Sequence, residues 1–149
     1  MHRIVYRSVA LIPATDRENL KILKAAMVRN SSMDVTGFLL RNPAYFYQCL
    51  EGPKLNLRKI MSSIMSDNRH FAVEILMFDE CIDRMFPEWA MGLEINSTAI
   101  LGDPLASAAD GPASAILTTL QWIAEQKREA IAYKDYRFAE DTPQFSHDE

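Results

Sequence analysis

The order in which two hydrophobic periods alternate along this chain constrains its fold more than any other feature. Residues 3–10 (RIVYRSVA) alternate as a strand does, with Ile4 and Tyr6 on one face and Val5 on the other. After Pro13, with Thr15 or Asp16 as a helix N-cap, Leu20, Leu23 and Met27 recur at helical spacing and predict a core-facing stripe. Beside it runs a second line, Ile22, Ala26, Arg29 and Asn30, whose small and polar members leave room for something that is not protein. Val35 to Leu40 and Tyr45 to Leu50 are β-rich runs joined by the turn Asn42-Pro43-Ala44, so the pair reads as a hairpin. Gly52-Pro53 opens a second helix, in which Leu57, Ile60, Met61, Ile64 and Met65 form one amphipathic stripe. Phe71 to Phe78 reads as a fourth strand and Trp89 to Ile95 as a fifth.

Strand, helix, strand, strand, helix, strand is the order of a ferredoxin-like α+β sheet with both helices on one face. The extra fifth strand widens that sheet, and its second face needs a cover. Residues 96–112, rich in Ala, Ser, Gly, Asp and Pro, read as a linker. Residues 113–131 read as an amphipathic helix, with Ile116, Leu117, Leu120, Ile123 and Ala124 on the side suited to covering that face. The acidic tail after about residue 138 is expected to fray. The chain therefore divides into a sheet domain at 1–95, a linker at 96–112 and a C-terminal helix and tail at 113–149.

Several functions are disfavoured at once. A net charge of −4 argues against a nucleic-acid or anionic-membrane surface, since both need clustered positive charge. No apolar run approaches the roughly 20 residues of a membrane span, and the opening MHRIVYRS has no signal-peptide core. A cytoplasmic protein is expected. Cys49 and Cys81 are too few and too far apart for a disulfide framework and are expected to be buried, reduced thiols. Gly37, Gly52, Gly92, Gly102 and Gly111 never cluster into a phosphate cradle. His2, His70 and His147 lack zinc spacing, so no metal site is expected. No GxSxG elbow or Cys–His pairing appears, and Asp79-Glu80 suits a solvated turn at a strand end.

What remains is a set of hydrogen-bonding side chains on elements that should be packed: Tyr6, Asn30 and Gln48. A buried strand glutamine is unusual, because its amide brings two donors and an acceptor that all need partners. Taken singly, each has an ordinary reading. Tyr6 can be a core aromatic with a satisfied hydroxyl, Asn30 a helix C-cap, and Gln48 a residue facing solvent.

Together the motifs say more. RIVYRS at 3–8, RNSSMDVTGFLL at 29–40, FYQCLEG at 46–52, DNRH at 67–70 and FPEWAMGL at 86–93 resemble the BLUF domain, a sensor of blue light using FAD. The resemblance covers roughly residues 2–95. It implies noncovalent FAD, with FMN or riboflavin able to take its place, the isoalloxazine ring lying between the two helices. By the same resemblance Tyr6 is the photoactive tyrosine that gives up an electron and a proton. Gln48 is the glutamine bridging that phenol and the flavin, and Asn30 is the asparagine holding the flavin edge. Arg69, flanked by Asp67 and His70, approaches the far edge of the ring. Ile22 and Ile64 are its aliphatic walls, although Ile64 is equally well explained as a core residue of its stripe. Trp89 and Met91 are the pair near the glutamine that carries the signal into the fifth strand.

The resemblance further implies a slight red shift on illumination and no covalent adduct. Cys49 lies in Gln-Cys-Leu-Glu-Gly, not in the Asn-Cys-Arg-Phe-Leu-Gln setting of the LOV photosensors. One departure is the loop Asp83-Arg84-Met85, where many members carry a basic pair; Met85 is expected to alter only a surface contact. The residues beyond 95 leave no room for a cyclase, phosphodiesterase or DNA-binding domain, so a short stand-alone sensor without an enzymatic effector is expected. It would signal to a separate partner protein or through a change of homo-oligomer, with no nucleic-acid or membrane partner. Two rivals stand beside it. A ferredoxin-like regulatory domain holding a metabolite or protein would purify without a yellow pigment. An acylphosphatase-like enzyme needs a glycine-rich anion loop after the first strand, and Ser8-Val9-Ala10-Leu11-Ile12-Pro13 offers none.

Overall fold

The computed structural model describes residues 1–95 and 111–141, with side chains as far as Arg128. Along the chain run β1 (His2–Ala10), α1 (Glu18–Ser32), β2 (Thr36–Arg41), β3 (Tyr45–Gly52), α2 (Lys54–Met65), β4 (His70–Glu80), β5 (Gly92–Ile95) and α3 (Pro112–Asp141). The strands form one sheet in the order β4-β1-β3-β2-β5. Neighbours are antiparallel except β2 and β5, which are parallel. This is the ferredoxin-like arrangement expected from the alternating periods, with the fifth strand added beside β2.

The two-residue period of the strands sorts their side chains into two cores. Ile4, Tyr6, Leu39, Phe46 and Leu50 face α1 and α2, where they meet Leu57, Ile60, Met61 and Ile64. Val5, Phe38, Leu40, Tyr47 and Cys49 face the other way and are covered by Ile116, Leu117, Leu120 and Ala124 of α3, with Phe86. Ile116 and Leu120 are almost wholly buried, each burial stabilising the docked helix by about 1.5–3 kcal/mol. Close approach of β2 to β3 depends on Gly37: a Cβ there would lie 2.1 Å from the Cys49 carbonyl oxygen.

Several expectations are corrected. Leu20 and Met27 are about half exposed, whereas Asn19, Ala26 and Asn30 are buried. α1 thus turns its second line toward the sheet together with Leu23, which packs against the core as expected, and only Leu20 and Met27 of the stripe face outward. Met65 is likewise exposed at the end of α2. Arg17 precedes the first turn of α1, and Asp16 caps from one residue earlier, its Oδ1 accepting the Glu18 N–H at 2.9 Å. β4 is longer than expected at both ends. β5 is shorter, leaving Trp89 in the preceding loop, because only residues 92–95 pair with β2. Cys81 is only half-buried, since it lies just past the end of β4. The backbone remains helical to Asp141 where fraying was expected to begin; the expected linker up to residue 110 and the tail from 142 lie outside the described residues.

The segment from residue 81 to 91 is held firmly despite lacking regular structure. Glu51 is completely buried at the end of β3 and accepts from Arg3 Nη2 at 2.7 Å and from the N–H groups of Met85 and Phe86 at 2.9 Å. Arg84 donates to Thr36 Oγ1 (2.9 Å), to the Glu51 carbonyl (3.0 Å) and to the Asp34 carbonyl (2.8 Å). Met85 packs against the second-face core rather than making a surface contact. These bonds set where Trp89 and Met91 stand.

Candidate functional site

A cleft with about 540 Å³ of empty space, its open mouth included, lies between α1 and α2 above the sheet. Tyr6 and Gln48 are direct partners across β1 and β3, so strand register alone sets phenol beside amide. Both side chains line the cleft and both residues are 3% exposed. That burial removes the solvent-facing reading of Gln48. Tyr6 Oη donates to Gln48 Oε1, and Gln48 Nε2 donates to Met91 Sδ at 3.3 Å. Burial pushes the Tyr6 phenol well above its ordinary value, with Arg29 drawing it back and Asp67 adding to the rise. The phenol is therefore a neutral donor at physiological pH. A thioether is a weak acceptor, so the buried amide is only loosely held on its nitrogen side.

The walls come from the helices. Ile22 and Ala26 of α1 and Ile64 of α2 line the cleft, and Leu39 and Phe46 continue its apolar surface on the sheet. Polar groups gather at the end where α2 gives way to β4. Arg69 grips Asp67, Nε to Oδ1 at 2.9 Å, and its Nη1 lies 3.6 Å from Glu18 at the start of α1. These hydrogen bonds hold the Asp67 carboxyl below the usual carboxylate range. His70 is fixed at both nitrogens: Nε2 donates to the Ile64 carbonyl at 2.6 Å, and Nδ1 lies 2.6 Å from Ser8 Oγ.

Of the residues singled out from the sequence, Tyr6, Ile22, Gln48, Ile64, Asp67, Arg69 and His70 meet on this cleft. Asn30 stands behind it. Its Oδ1 accepts from Arg29 Nε at 3.2 Å and its Nδ2 donates to the Ala90 carbonyl at 2.9 Å. Met91 touches Gln48, but Trp89 does not; its indole packs on Phe38 of the second face, ring centres 5.1 Å apart. Sequence reasoning did not assign Arg29, Leu39 or Phe46 to the site. Leu39 and Phe46 were within its reach, since Leu39 pairs with Gln48 and Phe46 lies two residues before it on the same face. Arg29 is half-buried in the cleft wall, and burial lowers its pKa from the ordinary arginine value.

Two opposed aliphatic walls, a buried amide with a weakly engaged N–H group, and polar groups at one end fit a flat aromatic heterocycle with carbonyl and nitrogen atoms on its rim. FAD carries such a ring.

Comparison with known proteins agrees. The BLUF family model, sensors of blue-light using FAD, matches residues 1–92. The chain is 33% identical over 90 residues to the blue light- and temperature-regulated antirepressor BluF of Escherichia coli K12, covering 60% of this chain and 22% of that protein. It is 32% identical over 95 residues to the photoactivated adenylate cyclase subunit alpha of Euglena gracilis, covering 61% of this chain and 9% of that one. The chain thus spans less than a quarter of the length of these curated relatives. The dark-state structure of BlrB, a BLUF protein, superposes with a TM-score of 0.59 at 30% identity, over 62% of this chain and 70% of that one. With the sheet, the interhelical cleft and the family match in agreement, the chain belongs to the BLUF family of blue-light sensors that use FAD.

Proposed function

We propose that this photoreceptor stores the arrival of a photon in the orientation of one buried amide, that of Gln48, with Tyr6 as the electron and proton donor. The observation that carries the reading is the bond from Tyr6 Oη to Gln48 Oε1, buried in the wall of the cleft. FAD, when bound, supplies a strong oxidant on absorbing blue light. The phenol is neutral and already points its proton at the amide oxygen, so electron loss sends that proton along an existing hydrogen bond. The electron and the proton then return to Tyr6, and Gln48 settles with its donor and acceptor ends exchanged, by rotation or by tautomerisation. One rearranged hydrogen bond is worth about 1 kcal/mol, enough to move a balanced two-state equilibrium by less than tenfold. Ile22 and Ile64 wall the ring, Arg69, Asp67 and His70 serve its polar end, and Asn30 acts from behind Arg29.

The output in this reading runs from Met91 and Trp89 into β5 and α3, and from there to a separate partner protein or a changed homo-oligomer in the cytoplasm, with no chemistry catalysed on a substrate. The Gln48–Met91 contact supports the first step. The related E. coli protein is an antirepressor and the Euglena one a cyclase, which supports an output onto other molecules. No helix among the described residues is long and apolar enough to cross a membrane.

Absorption spectra before and after a blue flash test the assignment. Tyr6→Phe is expected to keep the flavin and lose the red shift, and a shift of wild-type size in that variant refutes the donor role. Gln48→Leu is expected to lose the shift as well, with its dark bands moved.

A further inference from the structure

Three consecutive residues before β5 are each held by a different part of the molecule. Met91 Sδ takes the Gln48 amide, the Ala90 carbonyl takes Asn30 Nδ2, and the Trp89 ring lies under the Arg128 guanidinium of α3, 5.1 Å from its centre. Arg128 also pairs with the Glu88 carboxylate and donates Nη2 to the Met85 carbonyl at 3.2 Å. One residue earlier, Lys127 Nζ stands 2.7 Å from Glu94 Oε2 in β5. The apolar contacts of α3 with the sheet, Ile116 to Ala124, precede these charges along the helix. Its next turn is thus tied by Lys127 and Arg128 to the segment that touches Gln48.

We propose that Arg128, supported by Lys127, is a light-sensitive latch: it clasps α3 to residues 85–94 in the dark and loosens when Gln48 releases Met91. The trigger rests on the photoreceptor reading above; the clasp rests on the geometry of α3 alone. Motion at Met91 has little room to dissipate before it reaches the indole. A Cβ at Gly92 would lie 2.4 Å from Phe38 and 2.7 Å from Trp89, so the backbone between the rings is packed without slack. The clasp is also weak enough to open. Its charged side chains are all about a third exposed or more, and such pairs are worth only a few-fold in an equilibrium. That is the scale of one rearranged hydrogen bond.

Hydrogen exchange of the flavin-loaded chain, dark and illuminated, tests the latch. Arg128→Gln is expected to speed dark exchange of peptides from 113–128 by about tenfold, the loss of one exposed pair and one cation–π contact. That rate should match wild type under blue light, with the flavin red shift of the variant intact. The charge swap Glu88→Arg with Arg128→Glu returns the ion pair but neither the ring contact nor the donor to the Met85 carbonyl, so it is expected to restore dark protection in part; exchange as fast as in Arg128→Gln overturns the ion pair's share in the clasp. Wild-type dark exchange in Arg128→Gln overturns the proposal. So does a wild-type sample whose flavin bands shift while the exchange of α3 stays unchanged. Should Arg128→Gln unfold the whole chain, ionic strength decides: in wild type, salt at about 1 M must speed dark exchange of α3, and an unchanged rate overturns the clasp. Absence of any flavin shift counts against the photoreceptor reading instead, and the dark comparisons still decide the clasp.

Discussion

Replacing Glu51 with leucine removes a fully buried carboxylate that serves three donors groups at once, the Arg3 guanidinium and the N–H groups of Met85 and Phe86. Leucine fits the volume but accepts nothing. Each orphaned N–H costs about 1–3 kcal/mol while it stays buried. Arg3, with 15% of its side chain exposed, can recover some hydration, which keeps its loss at the low end. The total is about 3–5 kcal/mol, the range for breaking a buried ion pair from one side. With a urea slope of about 2 kcal/mol per M, the unfolding midpoint of the flavin-loaded protein falls by about 1.5–2.5 M. Glu51→Gln keeps one acceptor oxygen and is expected to lose roughly half as much. Urea titration followed by circular dichroism measures both. A Glu51→Leu midpoint within about 0.5 M of wild type would refute the claim that this carboxylate holds residues 81–91 in place.

Two further outcomes follow from the geometry. Asp67 is held below the usual carboxylate range by Arg69, so its contribution is present above the unfolded pKa of about 3.9 and is lost as pH falls through the lower folded value. Asp67→Asn should therefore lower the thermal midpoint at pH 7 relative to wild type, and the gap should close on acidification below pH ~3; an equal gap at both pH values counts against the Arg69 pairing. Gly37→Ala puts a methyl group 2.1 Å from the Cys49 carbonyl oxygen, which backbone can relieve only by parting β2 from β3. It is expected to cost more than about 3 kcal/mol, and a wild-type melting curve for that variant would contradict the packing described for β2.

The alternation of periods carried the strand and helix order, the two-faced sheet and the need for a helical cover on its second face. The same two-residue period put Tyr6 and Ile4 on one side of β1, and extended to β3 and β2 it would have added Phe46 and Leu39 to the site. Periodicity reports only how residues near in sequence share a face, so it could not choose between the two lines on α1. Leu20 and Met27 are the more apolar, yet they face outward because the side of the helix carrying Ile22, Leu23 and Ala26 is the one that meets the core and borders the cleft. Nor could it show that Asn30 spends its amide on Arg29 and Ala90, or that Trp89 turns to the second face under Arg128. Arg29 aside, those partners are distant in sequence, and hydrogen bonds and ring contacts reach only a few ångströms. The sequence alone determined which residues are polar, which are apolar and how they repeat. Only the tertiary structure decided which polar groups meet, because that depends on how the register of the strands and the docking of α3 bring remote segments within bonding distance.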